Sequence, residues 1–249
     1  MRRQHNEVPL SDTADPLVPA VDVPVVVASR GTHKPVDRSI PQPWLIRLTH
    51  WVNVPLMIIM AMSGLQILVA YPFLGPHGAP FHWWPLQGLV PPAWLRIGEW
   101  LGGSRAFHFA FSWFFVINGV VYLSYYLARG EWRRRAFLPK RDAAHAVRTA
   151  LFYARLAKEP PSVGLYNGLQ RLGYTSAIVL GIIEVLSGLA IWKPVQLHWL
   201  CAMFFGYDGA RSVHLFGLIA LALFVIGHVI MVALHPRTMI DMITGGRIR

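Results

Sequence analysis

The chain has 249 residues, 54% of them hydrophobic and only 14% charged, with a net charge of +11. That balance excludes an ordinary water-soluble domain and calls for lipid around much of the surface. The basic residues fall between long apolar runs rather than on one polar domain, so they read as membrane-orientation signals and not as a nucleic-acid surface. A single cysteine, Cys201, excludes an internal disulfide framework, a thiolate zinc cluster and a cysteine-ligated iron–sulfur centre, which leaves histidine to carry any metal chemistry.

Residues 1–40 are rich in Pro, Asp and Val, and Pro and Asp interrupt the apolar stretch Leu17 to Ala28. No uninterrupted signal-peptide core follows Arg2 and Arg3, so this segment is expected to be a flexible tail. Residues 41–249 then form a membrane domain. Its first span is expected over Trp51 to Ala70, and its second over Ala106 to Ala128. Between them, Pro91 to Leu101 reads as a short amphipathic helix begun by proline, either a docking platform or a segment resting on the lipid interface. After the second span, Arg141 to Lys158 has helical spacing with a basic face of Arg141, His145, Arg148 and Arg155, suited to an anionic membrane surface. The third span is expected over Leu172 to Trp192 and the fourth over Val213 to Leu234. Each approaches the roughly 20 residues needed to cross a bilayer, and their Gly, Ser and Pro content is usual where membrane helices pack closely.

Four spans place both ends of the domain on one side. Lys and Arg number six through Arg47, ten from Arg129 to Arg171 and three after the last span, against only Arg96, Arg105, Lys193 and Arg211 in the other two loops. Cytoplasmic flanks retain positive charge, so both termini are expected in the cytoplasm of a bacterium and the chain in its inner membrane.

His214 and His228 lie 14 residues apart on the last span. At 100° per residue this is four turns less about 40°, and at 1.5 Å per residue a separation of roughly 21 Å along one face. One mononuclear site cannot use both, whereas two large cofactors stacked through a hydrocarbon core about 30 Å thick can. His50 opens the first span at its cytoplasmic end and His108 opens the second at its periplasmic end. Matched depth therefore pairs His50 with His228 and His108 with His214. Two neutral imidazoles suit a low-spin, six-coordinate haem iron with no open position for oxygen, a centre that moves electrons. Gly64, 14 residues after His50, and Gly119, 11 after His108, lie near the same faces at the depth of the other haem and leave room for a macrocycle. The fold expected is all-α: a four-transmembrane-helix bundle enclosing two b-type haems. A lone intramembrane histidine is as readily a hydrogen-bonding group, but two depth-matched pairs are not easily explained that way. His5, His33, His77, His82, His145, His198 and His235 read as solvated.

Arg47-Leu48-Thr49-His50-Trp51, His108, the spaced His214 and His228, and Tyr166-Asn167-Gly168-Leu169-Gln170-Arg171 together carry a resemblance. Over roughly residues 40 to 249 the chain resembles the dihaem cytochrome b subunits of respiratory formate dehydrogenases, nickel–iron hydrogenases and thiosulfate reductases, and most of all the thiosulfate-reductase type. The resemblance implies the same two haem b pairs, a quinone pocket beside the cytoplasmic-side haem, and a periplasmic-side redox partner, commonly a molybdopterin oxidoreductase. In the formate dehydrogenase relative an asparagine of the Tyr-Asn-x-x-Gln motif lines that pocket with a haem-ligating histidine; the matching positions are Asn167 and His228. That relative has glycine where this chain has Leu169.

Tyr166, Asn167 and Gln170 offer donors and acceptors to a quinone carbonyl, and Arg171 a positive charge; their structural alternative is to cap the third helix. Arg47 is either a haem-propionate partner or a positive flank. Glu184, the acidic side chain deep in a span, is costly to bury as a charge, and it is open to a neutral, a paired or a proton-path role. Asn118 reads as an interhelical hydrogen-bonding group. The function expected is electron transfer across the membrane between quinone and a periplasmic oxidoreductase, the chain being a quinone-reactive subunit whose own turnover is left open. Two alternatives stand beside it. One is a self-contained quinol-oxidising cytochrome b that reduces a small periplasmic acceptor such as superoxide; the other is a haem-free transporter or anchor, against which the absence of an inverted repeat or broken helices argues.

Overall fold

The computed structural model describes residues 42–80, 88–158 and 167–246, all within the unit Val36–Arg249. The tail over residues 1–40, together with His5, His33, His82 and Tyr166, lies outside the described residues. Four helices are long and apolar enough to cross a membrane: α1 (Trp44–Ala70), α2 (Leu101–Ala128), α5 (Gly168–Trp192) and α7 (Tyr207–Leu234). Shorter helices lie between and after them: α3 (Trp132–Arg135), α4 (Pro139–Tyr153), α6 (His198–Met203) and α8 (Arg237–Thr244).

Each long helix ends at the residue where its apolar run ends, but starts four to seven residues before that run. Hydropathy marks the part of a helix that matches lipid. Backbone hydrogen bonding continues into the interface, where Gln170 helps to cap α5 and the buried Thr49 hydroxyl bonds to the Leu45 and Ile46 carbonyls of its own helix. At 1.5 Å per residue, 25 to 28 residues make rods about 40 Å long, more than the hydrocarbon core requires.

The bundle is built from two hairpins. α1 packs closely on α2 and α5 on α7, whereas the hairpins stand further from one another. We call the end holding the start of α1 the near end, and the end holding the start of α2 the far end. At the far end, α6 closes the α5–α7 hairpin with a small core of Ala190, Leu200, Cys201 and Ala210. Arg211 ties that hairpin to the first one: its guanidinium donates to the carbonyls of Tyr71 (2.7 Å) and Phe73 (3.0 Å) and lies 4.3 Å from the centre of the Tyr71 ring. At the near end, Arg47 donates Nε to the Met242 carbonyl (3.1 Å) and Nη2 to the Ile243 carbonyl, and Trp51 Nε1 donates to Met242 (3.3 Å). These bonds cap the end of α8 against α1.

Pro91 to Leu101 does not form the expected single helix. Ala93–Leu95 make one 3-10 turn, Arg96 is extended, Gly98 and Glu99 have φ of 98° and 57°, and Leu101 already belongs to α2. The reason is close packing: a Cβ on Gly98 would collide with the Ser104 backbone, so the chain folds back on the start of α2. The amphipathic spacing was real, but the backbone turn outweighs it.

The helix over Pro139–Tyr153 falls where the basic spacing places one, and it packs on α5. His145, Arg148 and Arg155 are exposed, while Asp142, Ala146 and Thr149 are buried. Asp142, 4% exposed, accepts from the Leu138 N–H (2.9 Å), from Arg141 Nε and Nη2 (2.8 Å each) and from Arg171 Nη1 (3.2 Å). The Arg141 pairing, helped by the Leu138 N–H and Arg171, holds its carboxyl at about 2, below the ordinary carboxylate range. Gly168 completes the joint, because a Cβ there would strike the α4 backbone at Asp142 and Ala146.

Candidate functional site

The histidines meet in twos across the gap between the hairpins. At the near end the rings of His50 on α1 and His228 on α7 have centres 6.1 Å apart, their planes inclined by 57°. At the far end His108 on α2 and His214 on α7 also stand 6.1 Å apart, inclined by 73°. Among the described residues, no cluster of three or more His, Cys, Asp or Glu side chains is placed to hold a bare metal ion. His77, His145, His198 and His235 are exposed.

The far-end pair is held by serines that the sequence reading did not single out. Ser63 Oγ lies 2.9 Å from His108 Nδ1, and Ser187 Oγ lies 3.0 Å from His214 Nδ1. Both serines are completely buried. Each spends its one hydroxyl hydrogen on its own helix, Ser63 on the Ile59 carbonyl and Ser187 on the Ile183 carbonyl, both at 2.7 Å. Each can then accept from its histidine, and the Met60 and Glu184 backbone carbonyls are further acceptors for His108 and His214; with the hydrogen on Nδ1, the Nε2 lone pair is left for a ligand.

The residue after each serine is glycine. A Cβ on Gly64 would lie 3.3 Å from His108 Cε1, and one on Gly188 would lie 3.3 Å from His214 Cε1. Gly64 thus leaves room on α1 for the His108 ring, as Gly188 does on α5 for His214. At Gly119 a Cβ would meet nothing within 4 Å. Sequence reasoning missed Gly188, Ser63 and Ser187, yet a signal was there: Ser-Gly-Leu-x-Ile occurs at 63–67 and again at 187–191.

Glu184 completes the far end. Its Oε2 lies 3.1 Å from His214 Nδ1, beside the Ser187 hydroxyl. Its Oε1 is buried, has no hydrogen-bond partner among the described residues, and occupies the place that a Cβ on Gly217 would take.

At the near end, Asn167 and Gln170 form a reciprocal cap on α5. Asn167 Oδ1 accepts the Gln170 N–H at 2.8 Å, and Gln170 Oε1 accepts the Asn167 N–H at 3.1 Å. Arg171 donates to Asp142, and its Nε is buried without a partner among the described residues. This cap connects to the near-end pair through packing: a Cβ on Gly173 would lie 3.4 Å from the Phe224 ring, and Phe224 stacks on His228 with centres 5.8 Å apart. Asn118 donates to the Thr49 carbonyl (3.0 Å) and to Asn53 Oδ1 (3.4 Å), joining α2 to α1 beside His50. His50 Nδ1 is buried with no partner among the described residues. Arg47 directs its guanidinium to α8.

Residues 42–245 match the family described as prokaryotic cytochrome b561. The chain belongs to that family. It is accordingly a multi-pass membrane electron-transfer subunit of the haem b type, and the resemblance read from the histidines and flanking motifs leads to the same group. The cytochrome is also 40% identical, over 212 residues, to the putative protein-methionine-sulfoxide reductase subunit YedZ1 of Azospira oryzae, an alignment covering 83% of this chain and 96% of that protein. No solved structure matches it.

Proposed function

We propose that this cytochrome b561 is a dihaem subunit that carries electrons across the bacterial inner membrane between quinone at its near end and a redox enzyme at its far end. The observation that carries the proposal is the pair of facing imidazoles at each end of α7. An imidazole nitrogen about 2 Å from a metal puts the ring centre about 3 Å away, so two axial rings have centres roughly 6 Å apart. Both pairs have that spacing, at 6.1 Å. The widely spaced hairpins and the bare backbones of Gly64 and Gly188 fit a planar macrocycle between them. In this reading His50 with His228, and His108 with His214, would each hold one haem b. Haem b held there would supply a centre that exchanges one electron at a time.

The near end is cytoplasmic in this assignment, since 19 of the 23 Lys and Arg residues fall, in sequence, before the first span, between the second and third, or after the fourth. Quinone sits beside His228, against Phe224 and the start of α5. The capping bonds already use the side-chain oxygens of Asn167 and Gln170, so what these residues offer a quinone carbonyl is their amide hydrogens. Arg171 adds positive charge for a reduced oxygen. Tyr166, which precedes the cap, is included on the motif alone.

At the periplasmic end the partner is a molybdopterin oxidoreductase. The description of the Azospira relative as a subunit of a putative protein-methionine-sulfoxide reductase supports a sulfoxide-reducing partner, with electrons flowing outward from quinol. Reduction of one sulfoxide to a thioether and water takes two electrons and two protons, the yield of one quinol.

The test is a reduced-minus-oxidised optical spectrum of the purified chain with haem quantified as the pyridine haemochrome. Two low-spin b haems per chain are expected. A haem-free protein from haem-replete cells would end the proposal and restore the transporter or anchor reading.

A further inference from the structure

The two halves of the bundle share a register, and the place where they depart from it is informative. Ser63-Gly64 on α1 faces His108 on α2 just as Ser187-Gly188 on α5 faces His214 on α7. Three residues before each serine stand Met60 and Glu184; three residues after each histidine stand Phe111 and Gly217. One half therefore has two bulky apolar side chains at these positions, and the other has a carboxylate and the glycine that makes room for it. The carboxylate goes where the exchange points, with Oε2 at 3.1 Å from His214 Nδ1 and Oε1 against Gly217. With the Ser187 hydroxyl hydrogen on the Ile183 carbonyl, the Nδ1 hydrogen of His214 faces the Ser187 hydroxyl oxygen, the Glu184 backbone carbonyl and a Glu184 carboxyl oxygen. His108 has the matching serine oxygen and the Met60 backbone carbonyl as partners, and no acidic group in contact among the described residues, so the carboxyl is what distinguishes His214.

We propose that Glu184 is a positioning residue for His214 that holds its Nδ1 hydrogen, presents Nε2 to the iron and makes this imidazole the more electron-donating of the two far-end ligands. This rests on the dihaem reading above. A carboxylate acceptor raises the basicity of a ligating histidine, and a more basic axial ligand favours ferric over ferrous iron. The device sets the potential of the far-end haem without touching the near-end one, and so sets the driving force with which electrons leave for the partner.

The experiment is a redox titration of both haems in the wild type and in Glu184→Gln, with haem counted per chain in the same samples. The far-end centre is assigned from His50→Ala, which retains only that haem. Glutamine keeps the shape but substitutes a weaker neutral acceptor, so the far-end haem should become easier to reduce by about tenfold in its reduced-to-oxidised ratio, or about 59 mV for one electron. The near-end haem should not move. Gly217→Ala, which pushes the Glu184 carboxyl off His214 while keeping the residue, should shift the same haem in the same direction and provides the reading if Glu184→Gln loses haem. Two haems per chain with unchanged potentials in both variants, or an equal shift of both haems, overturns the role of Glu184 and leaves the dihaem reading standing. A wild type without two haems overturns the reading on which it rests.

Discussion

The α1–α2 and α5–α7 hairpins use one device in two settings. In both, a serine and a glycine on the outgoing helix hold and make room for a histidine on the returning helix, 2.9 Å and 3.0 Å from the serine oxygen. They differ in everything around that device. The first hairpin carries Met60 and Phe111 at the matching positions and contributes one histidine to each end. The second carries Glu184 and Gly217, contributes both histidines from α7, and has α4 and α6 packed on its two ends. The lesson is that ligation geometry is shared, while the electronic and anchoring features are concentrated in one half.

Removing ligands tests that division most severely. His50→Ala or His228→Ala should abolish the near-end haem, and His108→Ala or His214→Ala the far-end one, each leaving about one haem per chain in the pyridine haemochrome assay. If one substitution from each pair removed the same haem, the pairing would be wrong. The supporting serines come next. Ser63→Ala removes the side-chain partner of His108 Nδ1, leaving the Met60 carbonyl, and should weaken haem retention about tenfold, at the low end of the loss for such outer contacts. Ser187→Ala should cost less because Glu184 still holds His214; competition for haem by an apo-acceptor protein compares the two.

The near end is probed by Asn167→Ser. Serine preserves the helix cap that alanine would lose at a cost of about 1 kcal/mol, but it has no amide hydrogens for a quinone. Quinol-driven haem reduction in a stopped flow should slow by about tenfold while haem content stays constant. A rate unchanged from wild type would restrict Asn167 to capping.

The smallest effect is expected where α4 meets α5. The Asp142 carboxyl is depressed to about 2 in the folded chain, so its contribution is present above the ordinary carboxylate value and is lost as pH falls toward about 2. Asp142→Asn should loosen α4 at neutral pH by on the order of 1–2 kcal/mol, reduced from a buried pair because Arg141 is partly exposed. Hydrogen exchange across Pro139–Tyr153 reads this directly, and the wild type should show the same increase only at acid pH.

Much of this architecture is legible in the sequence. The apolar runs end where α1, α2, α5 and α7 end, and helix rise alone puts His214 and His228 at opposite depths. Pro91 to Leu101 was misread because spacing describes side chains, whereas the Gly98–Ser104 contact that breaks the helix is a backbone approach between separated residues. The Ser-Gly repeat was visible but mute, since either serine could have faced lipid.

The sequence by itself determined the number of membrane helices, the bias of positive charge and the depth of each histidine, because hydropathy and a fixed rise of 1.5 Å per residue are properties of a local segment. Only the tertiary structure decided that Ser63 and Ser187 meet Nδ1 of His108 and His214, that Arg47 caps α8, and that Glu184 reaches His214 through the space left by Gly217. Those outcomes depend on how each helix is rotated and how closely its neighbour approaches, and that is set by packing between segments far apart in the chain.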